Sequence, residues 1–484
     1  MPSIQSVRHT GIIGPVNDIK HRPPRTSRLA SAWRLWRERA KANAPLDTLP
    51  CIPVAAQDLQ VLSDPTVFRE TLLALIATAR QRILFSALYL QDDEAGREVL
   101  AALYAAKTAQ PQLEVAVFVD WHRAQRGLIG KTRSAGNAAL YKEMAERLGP
   151  GVTIYGVPVQ RREFLGVLHL KGFIVDDSVL YSGASLNDVY LQKHERYRLD
   201  RYHLIHSRAL ADSLAGLLTG LVRNSAAVHP LDTGKAPRTL DLRNAIIRFR
   251  RALASTDYDF VAAPIAAGEI GITPLLGVGI RNNALNTAIL QLIQRAQRRL
   301  VIFTPYFNLP GSVRRAVNAR IKAGCEITIV LGDKTANDFY IPPDEPFKTI
   351  GALPYLYEAN LRRFCKSHQR DIDARRLNVH LWRDEDNTFH LKGLLVDDDY
   401  ALLTGNNLNP RAWRLDLENG LLLHDPQKLL CDRHQAELER ILLHTRRLAH
   451  HTALEAVDTY PLPVQRLIKR LARVRADRLV NQVL

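Results

Sequence analysis

Residues 169–177 read HLKGFIVDD, and residues 390–398 read HLKGLLVDD, 221 positions further along a chain of 484. The likeness of the two copies extends outward on both sides. Gly183-Ala184-Ser185-Leu186-Asn187 follows the first, and Gly405-Asn406-Asn407-Leu408-Asn409 follows the second. Leu199-Asp200 and Leu417-Glu418 then hold matching places, ahead of His206 and His424. Upstream, RILFSALYL (82–90) answers to LVIFTPYFNL (300–309), and LEVAVFVDW (113–121) to CEITIVLGD (325–333). An internal repeat of this length is read before any local pattern. Each half runs strand, helix, strand, long insertion, strand, strand, with helices expected near 95–108 and 311–323. Short apolar runs alternating with helical periodicity predict an α/β layer fold with buried strands.

Both copies fit H-x-K-x-x-x-x-D, giving His169, Lys171, Asp176 and His390, Lys392, Asp397. Side chains alternate faces along a strand, so each histidine shares a face with its lysine. The aspartate, seven residues on, has the opposite parity and reads as a strand-end structural group. Two such histidines suit displacement at a phosphodiester. One neutral imidazole attacks phosphorus while one imidazolium protonates the leaving oxygen. Two lysines beside them would bind the nonbridging oxygens as their charge shifts in the transition state. This arrangement needs no metal, and no His/Cys/carboxylate cluster has ligand spacing; no cofactor is expected.

The surroundings bound what such a site could serve. Lys and Arg number 66 against 49 Asp and Glu, a formal net charge of +17, so an anionic partner is expected. Residues 1–50 carry net +6 and residues 464–484 net +5. Hydrophobic residues at 46% exclude a disordered or fibrous chain. Four scattered cysteines argue for a reducing cytosol over a secreted disulfide scaffold. No apolar run reaches the length of a membrane-spanning helix, and the first residues lack a signal peptide's apolar core. The expected organisation is a basic extension (1–50), a first half (51–225), a polar linker (226–240), a second half (241–450) and a basic amphipathic segment (451–484). Arg25–Ala44 also reads as a basic helix.

The chain resembles the phospholipase D superfamily, and within it the bacterial phosphatidylserine synthases. Besides the two motifs, the likeness rests on VDWHRAQRG (119–127), VLHLKGFIVDDSVLYSGASLNDVY (167–190), GDKTANDFYIP (332–342), DEPFKTIGALPYLYE (344–358) and GNNLNPRAWRLDLEN (405–419). It runs from about residue 55 to the C-terminus. The resemblance implies two phospholipase D-like α/β/α halves about a pseudo-twofold axis, sharing one active site. It implies transfer of the phosphatidyl group of CDP-diacylglycerol to L-serine, with release of CMP, through a phosphohistidine. His169 would be the nucleophile and His390 the acid/base, although near-symmetric repeats cannot order the two. Asp176 and Asp397 enter the candidate site only as members of the family motif. Glu418 would bond the far nitrogen of His169, and Asp200 that of His390, fixing tautomers and stabilising imidazolium. Ser185, Asn187, Asn407 and Asn409 become candidate phosphate contacts. In both copies this turn is one residue shorter than the superfamily pattern, and Ser185 stands where Asn407 stands.

Several features keep two readings. Arg123 and Lys334 follow equivalent strands, where α/β folds place sites; they read as contacts to cytidine diphosphate or the serine carboxylate, or as loop charges. YIPPDEPFKTIGALPYLYEANLRRF (340–364) reads as an interfacial loop or lipid groove, or as a packed hairpin. In the C-terminal segment, Leu467, Leu471, Val474 and Leu479 oppose Arg466, Lys469, Arg470, Arg473 and Arg478. That pattern suits peripheral docking on the anionic inner face of the cell membrane, or a helix packed on the body. Nucleic acid or ribosome contact would be nonspecific charge attraction, and a homodimer stays open. Competing functions are a cardiolipin synthase, a phospholipase D, a nuclease of the same superfamily, and a non-catalytic anion binder.

Overall fold

A computed structural model describes residues 45–127, 136–342 and 344–473. The strands in chain order begin with β1 (Ile52–Ala55), β2 (Leu59–Leu62), β3 (Arg82–Ser86), β4 (Glu114–Asp120) and β5 (Val152–Val157). Then come β6 (Gly172–Val175), β7 (Ser178–Ser182), β8 (Arg198–Leu199), β9 (Tyr202–His206) and β10 (His229–Pro230). The second set is β11 (Glu269–Val278), β12 (Arg299–Phe303), β13 (Glu326–Gly332), β14 (Leu377–Trp382) and β15 (Thr388–Phe389). It closes with β16 (Gly393–Val396), β17 (Tyr400–Thr404), β18 (Leu417–His424) and β19 (Thr445–Arg447).

Two sheets repeat one strand order. The first runs β10-β5-β4-β3-β6-β7-β9-β2, and the second β19-β14-β13-β12-β16-β17-β18-β11, with β1 added at its far edge. In each, three parallel strands joined through crossovers meet an antiparallel hairpin (β6-β7, β16-β17) at the centre. The central strands are runs of Val, Ile, Leu and Phe buried on both faces, as strands covered by helices require. The two helices expected from periodicity are present at Glu94–Ala109 and Gly311–Lys322.

Two edge strands come from outside the expected bounds. β1 falls in the stretch assigned to the first half but pairs with β11 of the second sheet. β10 lies in the stretch read as a linker and pairs with β5, and the Asp232 carboxylate accepts the Ile154 N–H at 2.9 Å. The polar, Pro-bearing composition of 226–240 marked an excursion over the surface but concealed the buried Leu231 that anchors it.

Asp176 and Asp397 close the two central hairpins. Each has a positive φ, 49° and 52°, which aspartate tolerates better than most residues. The Asp176 carboxylate accepts the N–H groups of Arg80, Gln81 and Arg82 at 2.9, 2.7 and 3.0 Å. Asp397 does the same for Gln297, Arg298 and Arg299 at 3.0, 2.8 and 3.0 Å. Each thus pins the start of β3 or β12, while the histidines lie beyond the opposite end of the hairpin strand. This removes both from the candidate catalytic set: the last letter of the motif builds the sheet.

From Thr349 onward the block 340–364 is helical, and it is not a hairpin. Pro354 sits in the first turn of helix Leu353–Ser367, where its missing N–H costs nothing, and Tyr357, Leu361, Phe364 and Cys365 are buried along one side. Helix Leu462–Arg473 packs on it: Val464 is buried, and Leu467 and Ile468 are partly buried, against Tyr355 and Tyr460. Arg466, Lys469 and Arg470 are exposed. Within these residues the apolar stripe is used on the body. Arg25–Ala44, Val474, Arg478 and Leu479 lie outside the described residues. No helix among the described residues is long and apolar enough to cross a membrane. All four cysteines are free thiols.

Candidate active site

Each histidine is mounted on the other copy of the repeat. The His169 N–H donates to the Leu417 carbonyl at 2.8 Å, one residue before Glu418. The His390 N–H donates to the Leu199 carbonyl at 2.9 Å, one residue before Asp200. The short parallel pair β8-β15 carries the second of these contacts. The strand end that bears each carboxylate therefore also fixes the backbone of the histidine it faces.

The His169 Nδ1 lies 2.9 Å from both oxygens of Glu418. Asp200 behaves differently. Its Oδ2 accepts from Lys392 Nζ at 2.6 Å and stands 3.5 Å from His390 Nδ1. His390 Nδ1 instead contacts the Tyr190 hydroxyl at 2.7 Å, and Lys392 Nζ also touches it. The expected symmetry of carboxylate to histidine is thus broken on the second side, because Lys392 is inserted between the partners. All six groups are almost fully buried: His169, Lys171, Asp200, His390, Lys392 and Glu418.

The glycine of each following turn makes room for this crossing. A Cβ on Gly183 would lie 2.7 Å from both Asp200 Oδ2 and Lys392 Nζ, and one on Gly405 would lie 2.9 Å from Lys171 Cγ. Each turn thus packs against the lysine of the other copy, and neither position has space for a side chain. Asn419, which the sequence reading passed over, is buried and clamps Lys171 from both ends. Its Oδ1 accepts the Lys171 N–H, and its Nδ2 donates to the Lys171 carbonyl, each at 2.8 Å.

The remaining candidates divide. Lys171 Nζ donates to the Ala184 carbonyl at 3.2 Å, beside buried Ser185. Asn187 Oδ1 accepts the Tyr190 N–H at 3.1 Å, and Asn409 Oδ1 accepts the Ala412 N–H at 2.9 Å. Those oxygens shape turns, and the Asn187 Nδ2 also donates to Gln91 Oε1 at 3.3 Å. Asn407 is half-buried and its Oδ1 has no hydrogen-bond partner. Arg123 Nε stands 2.9 Å from Glu163. Lys334 Nζ lies 3.0 Å from Glu358 and 2.6 Å from Glu455, over the rings of Tyr355 and Tyr460. Both cations are thus paired with the chain's own carboxylates. Among the described residues no group of three or more His, Cys, Asp and Glu is placed to hold a metal ion.

Burial and the two lysines hold both imidazoles neutral. His169 is pushed well below its ordinary range by desolvation, with Lys171, Lys392, His390 and Arg411 adding to the effect. His390 is lowered to about 4 by desolvation and Lys392, against the pull of Asp200 and Asp338. This differs from the expected start with one charged histidine. Lys171 is itself lowered to about 7 by burial and Lys392. Two further buried histidines, His203 and His434, lie at about 3 and about 4, desolvation again leading.

These depressed values make an acid-side prediction. An unfolded histidine binds its proton near 6.5, the folded ones only much lower, so between those values the unfolded state holds more protons. Stability from this source is complete above pH 6.5 and is lost as pH falls towards 4. Each such group costs on the order of 2 kcal/mol at pH 4.5. The melting temperature should fall continuously from pH 6.5 to 4.5; a flat profile over that range would rule the assignment out.

A family model described as "Cardiolipin synthase, PLD-like domain" matches residues 289–442. The CDP-diacylglycerol–serine O-phosphatidyltransferase PssA of Escherichia coli (strain K12) is 50% identical over 448 residues, covering 92% of this chain and 99% of that protein. The chain belongs to the bacterial phosphatidylserine synthase family. The crystal structure of phosphatidylserine synthase from Haemophilus influenzae Rd KW20 superposes with a TM-score of 0.88 at 46% identity, over 93% of this chain and all of that one. A CDP-diacylglycerol–glycerol-3-phosphate 3-phosphatidyltransferase of Schizosaccharomyces pombe is 23% identical over 87% of this chain.

Proposed function

We propose that this phosphatidylserine synthase family member moves the phosphatidyl group of CDP-diacylglycerol to the hydroxyl of L-serine through phosphatidyl-His169. The observation that carries the reading is the different electrostatic setting of the two buried histidines. Burial, Lys171, Lys392 and Arg411 hold His169 neutral; burial and Lys392 lower His390 too, but Asp200 pulls it back towards its charged form. A neutral imidazole is the nucleophile, and a chargeable one is the acid.

Nδ1–H of His169, donated to both Glu418 oxygens, leaves the Nε2 lone pair free to attack phosphorus. The Nε2–P bond forms, the bond from phosphorus to the CMP oxygen breaks, and His390 gives that oxygen a proton. The phosphates of the bound substrate offset the lysine charges that lower His390, so its imidazolium forms when substrate arrives. Phosphatidyl-His169 carries positive charge that Glu418 balances. In the return half, His390 takes the serine hydroxyl proton as the new O–P bond forms and the N–P bond breaks. Lys171 and Lys392, with the amides of Asn187, Asn407 and Asn409 and the Ser185 hydroxyl, hold the nonbridging oxygens. Removing either lysine costs on the order of 3 kcal/mol of transition-state stabilisation. CMP release from CDP-diacylglycerol in mixed micelles, with and without serine, tests the reading. Serine-dependent release supports it; serine-independent lipid hydrolysis, phosphatidylglycerol as acceptor or DNA cleavage would assign the site to another superfamily activity.

The halves of the site come from the two repeats, whose sheets take β1 into the second and β10, from the stretch between the repeats, into the first. We read the outward basic face at the C-terminus as a peripheral anchor to the anionic inner membrane face. Each exposed basic residue is worth roughly 1 kcal/mol near such a surface, screened within about a Debye length. Because Val464, Leu467 and Ile468 are occupied on the body, this contact is electrostatic and not insertive. Gln at Arg466, Lys469, Arg470, Arg473 and Arg478 should weaken binding to anionic vesicles at least tenfold while turnover in mixed micelles persists. Unchanged vesicle sedimentation would move docking to another surface.

A further inference from the structure

His390 is flanked by a pair of opposite charges that the transfer chemistry above does not use. The Tyr190 and Tyr306 rings stand edge-on to its imidazole, with centroids 5.7 and 5.9 Å away. Each ring carries one charge. The Arg198 guanidinium lies 5.0 Å over Tyr190, and the Asp338 carboxylate accepts the Tyr306 hydroxyl at 2.6 Å. The two charges face each other without closing: Arg198 Nη1 is 3.7 Å from Asp338 Oδ2, outside hydrogen-bonding distance. Their side chains keep 16% and 15% exposure, whereas Lys392 and Asp200 behind them keep 0% and 1%. Arg198 is oriented by its Nε bond to Thr388 Oγ1 at 3.1 Å, so its position follows from β8-β15, the contact that also mounts His390.

The His169 side offers no such frame. There Arg411 Nε donates to Asp416 Oδ2 at 3.1 Å and its Nη2 to the Glu163 carbonyl at 3.0 Å, so that cation is spoken for. Reaction geometry also selects the His390 side. If His169 attacks phosphorus in line, the leaving CMP departs on the face opposite His169, and the acceptor that breaks the N–P bond must enter by the same face. The proton partner on that face is His390. An acceptor amino acid needs a cation for its α-carboxylate and an anion for its α-ammonium within reach of that imidazole, and this open pair supplies both.

Building on the phosphatidyl-transfer reading, we infer that Arg198 and Asp338 recognise the acceptor as a zwitterion, Arg198 taking the α-carboxylate and Asp338 the α-ammonium, with Tyr190 and Tyr306 as the walls. A hydroxyl compound lacking either charge leaves one member of the pair buried and unmatched, which is how a site rejects it.

The test uses acceptor analogues and two variants. On the unmodified protein, ethanolamine lacks the carboxylate and 3-hydroxypropanoate lacks the ammonium. Each should lose at least thirtyfold in kcat/KM relative to serine. In Arg198→Gln the serine KM should rise at least thirtyfold, and the preference for serine over ethanolamine should shrink at least tenfold. In Asp338→Asn the preference over 3-hydroxypropanoate should shrink likewise. Exchange of labelled CMP into CDP-diacylglycerol reports the half-reaction that precedes serine, and the ratio of serine transfer to CMP exchange should fall at least thirtyfold in both variants. A wild-type protein that uses ethanolamine as well as serine overturns the inference. So do variants in which exchange and transfer fall together, which would give the pair to the nucleotide or to the fold. Absence of CMP exchange in the unmodified protein would instead strike the phosphatidyl-histidine reading itself.

Discussion

Alanine at His169 is expected to reduce CMP release by at least three orders of magnitude, because it removes the attacking imidazole while His390 is committed to the proton transfers. Lys171 and Lys392 are engaged with Ala184 and Asp200, and Glu418 is shielded behind the imidazole. Alanine at His390 should be comparably damaging to turnover, but by a different route. The nucleophile is intact, so a lipid adduct can form slowly and then lacks the base that activates serine. Mass spectrometry of His390→Ala after incubation with CDP-diacylglycerol and no serine should find the phosphatidyl group on the peptide containing His169. An adduct on His390 in His169→Ala would reverse the order of the two. Turnover near wild type in either variant would end the shared-site reading. Glu418→Gln extends the experiment: it keeps the hydrogen-bonding shape but removes the charge that balances phosphatidyl-His169, so turnover should drop steeply while folding persists.

Legibility of the fold followed the repeat. Two copies of one strand pattern were sufficient for the strand order to be duplicated, and the parity of Asp176 and Asp397 was sufficient to separate them from their histidines. The Glu418–His169 pairing followed from the family resemblance, applied to matching places in the two copies. What escaped were the places where the copies differ. Asn419 clamps Lys171 where its counterpart Arg201 faces away, and Tyr190 contacts His390 with no equivalent at His169. Asp338 and Tyr306 lie in stretches that were read for resemblance, but no spacing rule brings residues 190, 198, 306 and 338 together; only the crossing of β8 with β15 does. Arg123 and Lys334 sit at strand ends where α/β proteins place sites, and what that rule does not see is their pairing with Glu163, Glu358 and Glu455. The apolar content of 340–364 was visible; its use was not, because packing against a helix from residue 462 onward is a tertiary fact.

Arg201 is the position where a single substitution should do most harm to folding. It follows Asp200 directly, and its N–H donates to Asp200 Oδ1 at 2.9 Å. Its guanidinium makes a two-pronged contact with Glu437, Nε to Oε1 at 2.8 Å and Nη2 to Oε2 at 2.6 Å, with both side chains 4% exposed. The plane lies 5.1 Å from the Phe303 ring, and the missing Cβ of Gly393 leaves space for Nη1. The pair joins β9 of the first sheet to helix Cys431–Leu442 of the second part. Burial opposes ionisation of Glu437, but Arg201 overrides it and holds the carboxyl down to about 2. Arg201→Ala would leave that carboxylate buried without its cation, at a cost of about 3–5 kcal/mol. Loss should appear as a lower urea midpoint with an unchanged slope. The double variant Arg201→Met with Glu437→Leu removes both charges, fills similar volume and should recover most of the loss, since a buried ion pair repays little beyond its own desolvation. Its pH profile sharpens the case. Glu437 has a lowered folded value, so its contribution is present above the unfolded carboxyl range and is lost as pH falls towards 2; the double variant should lack that part of the acid sensitivity. A double variant no more stable than Arg201→Ala would show that the pair's geometry, and not the relief of an orphaned charge, is what this position supplies.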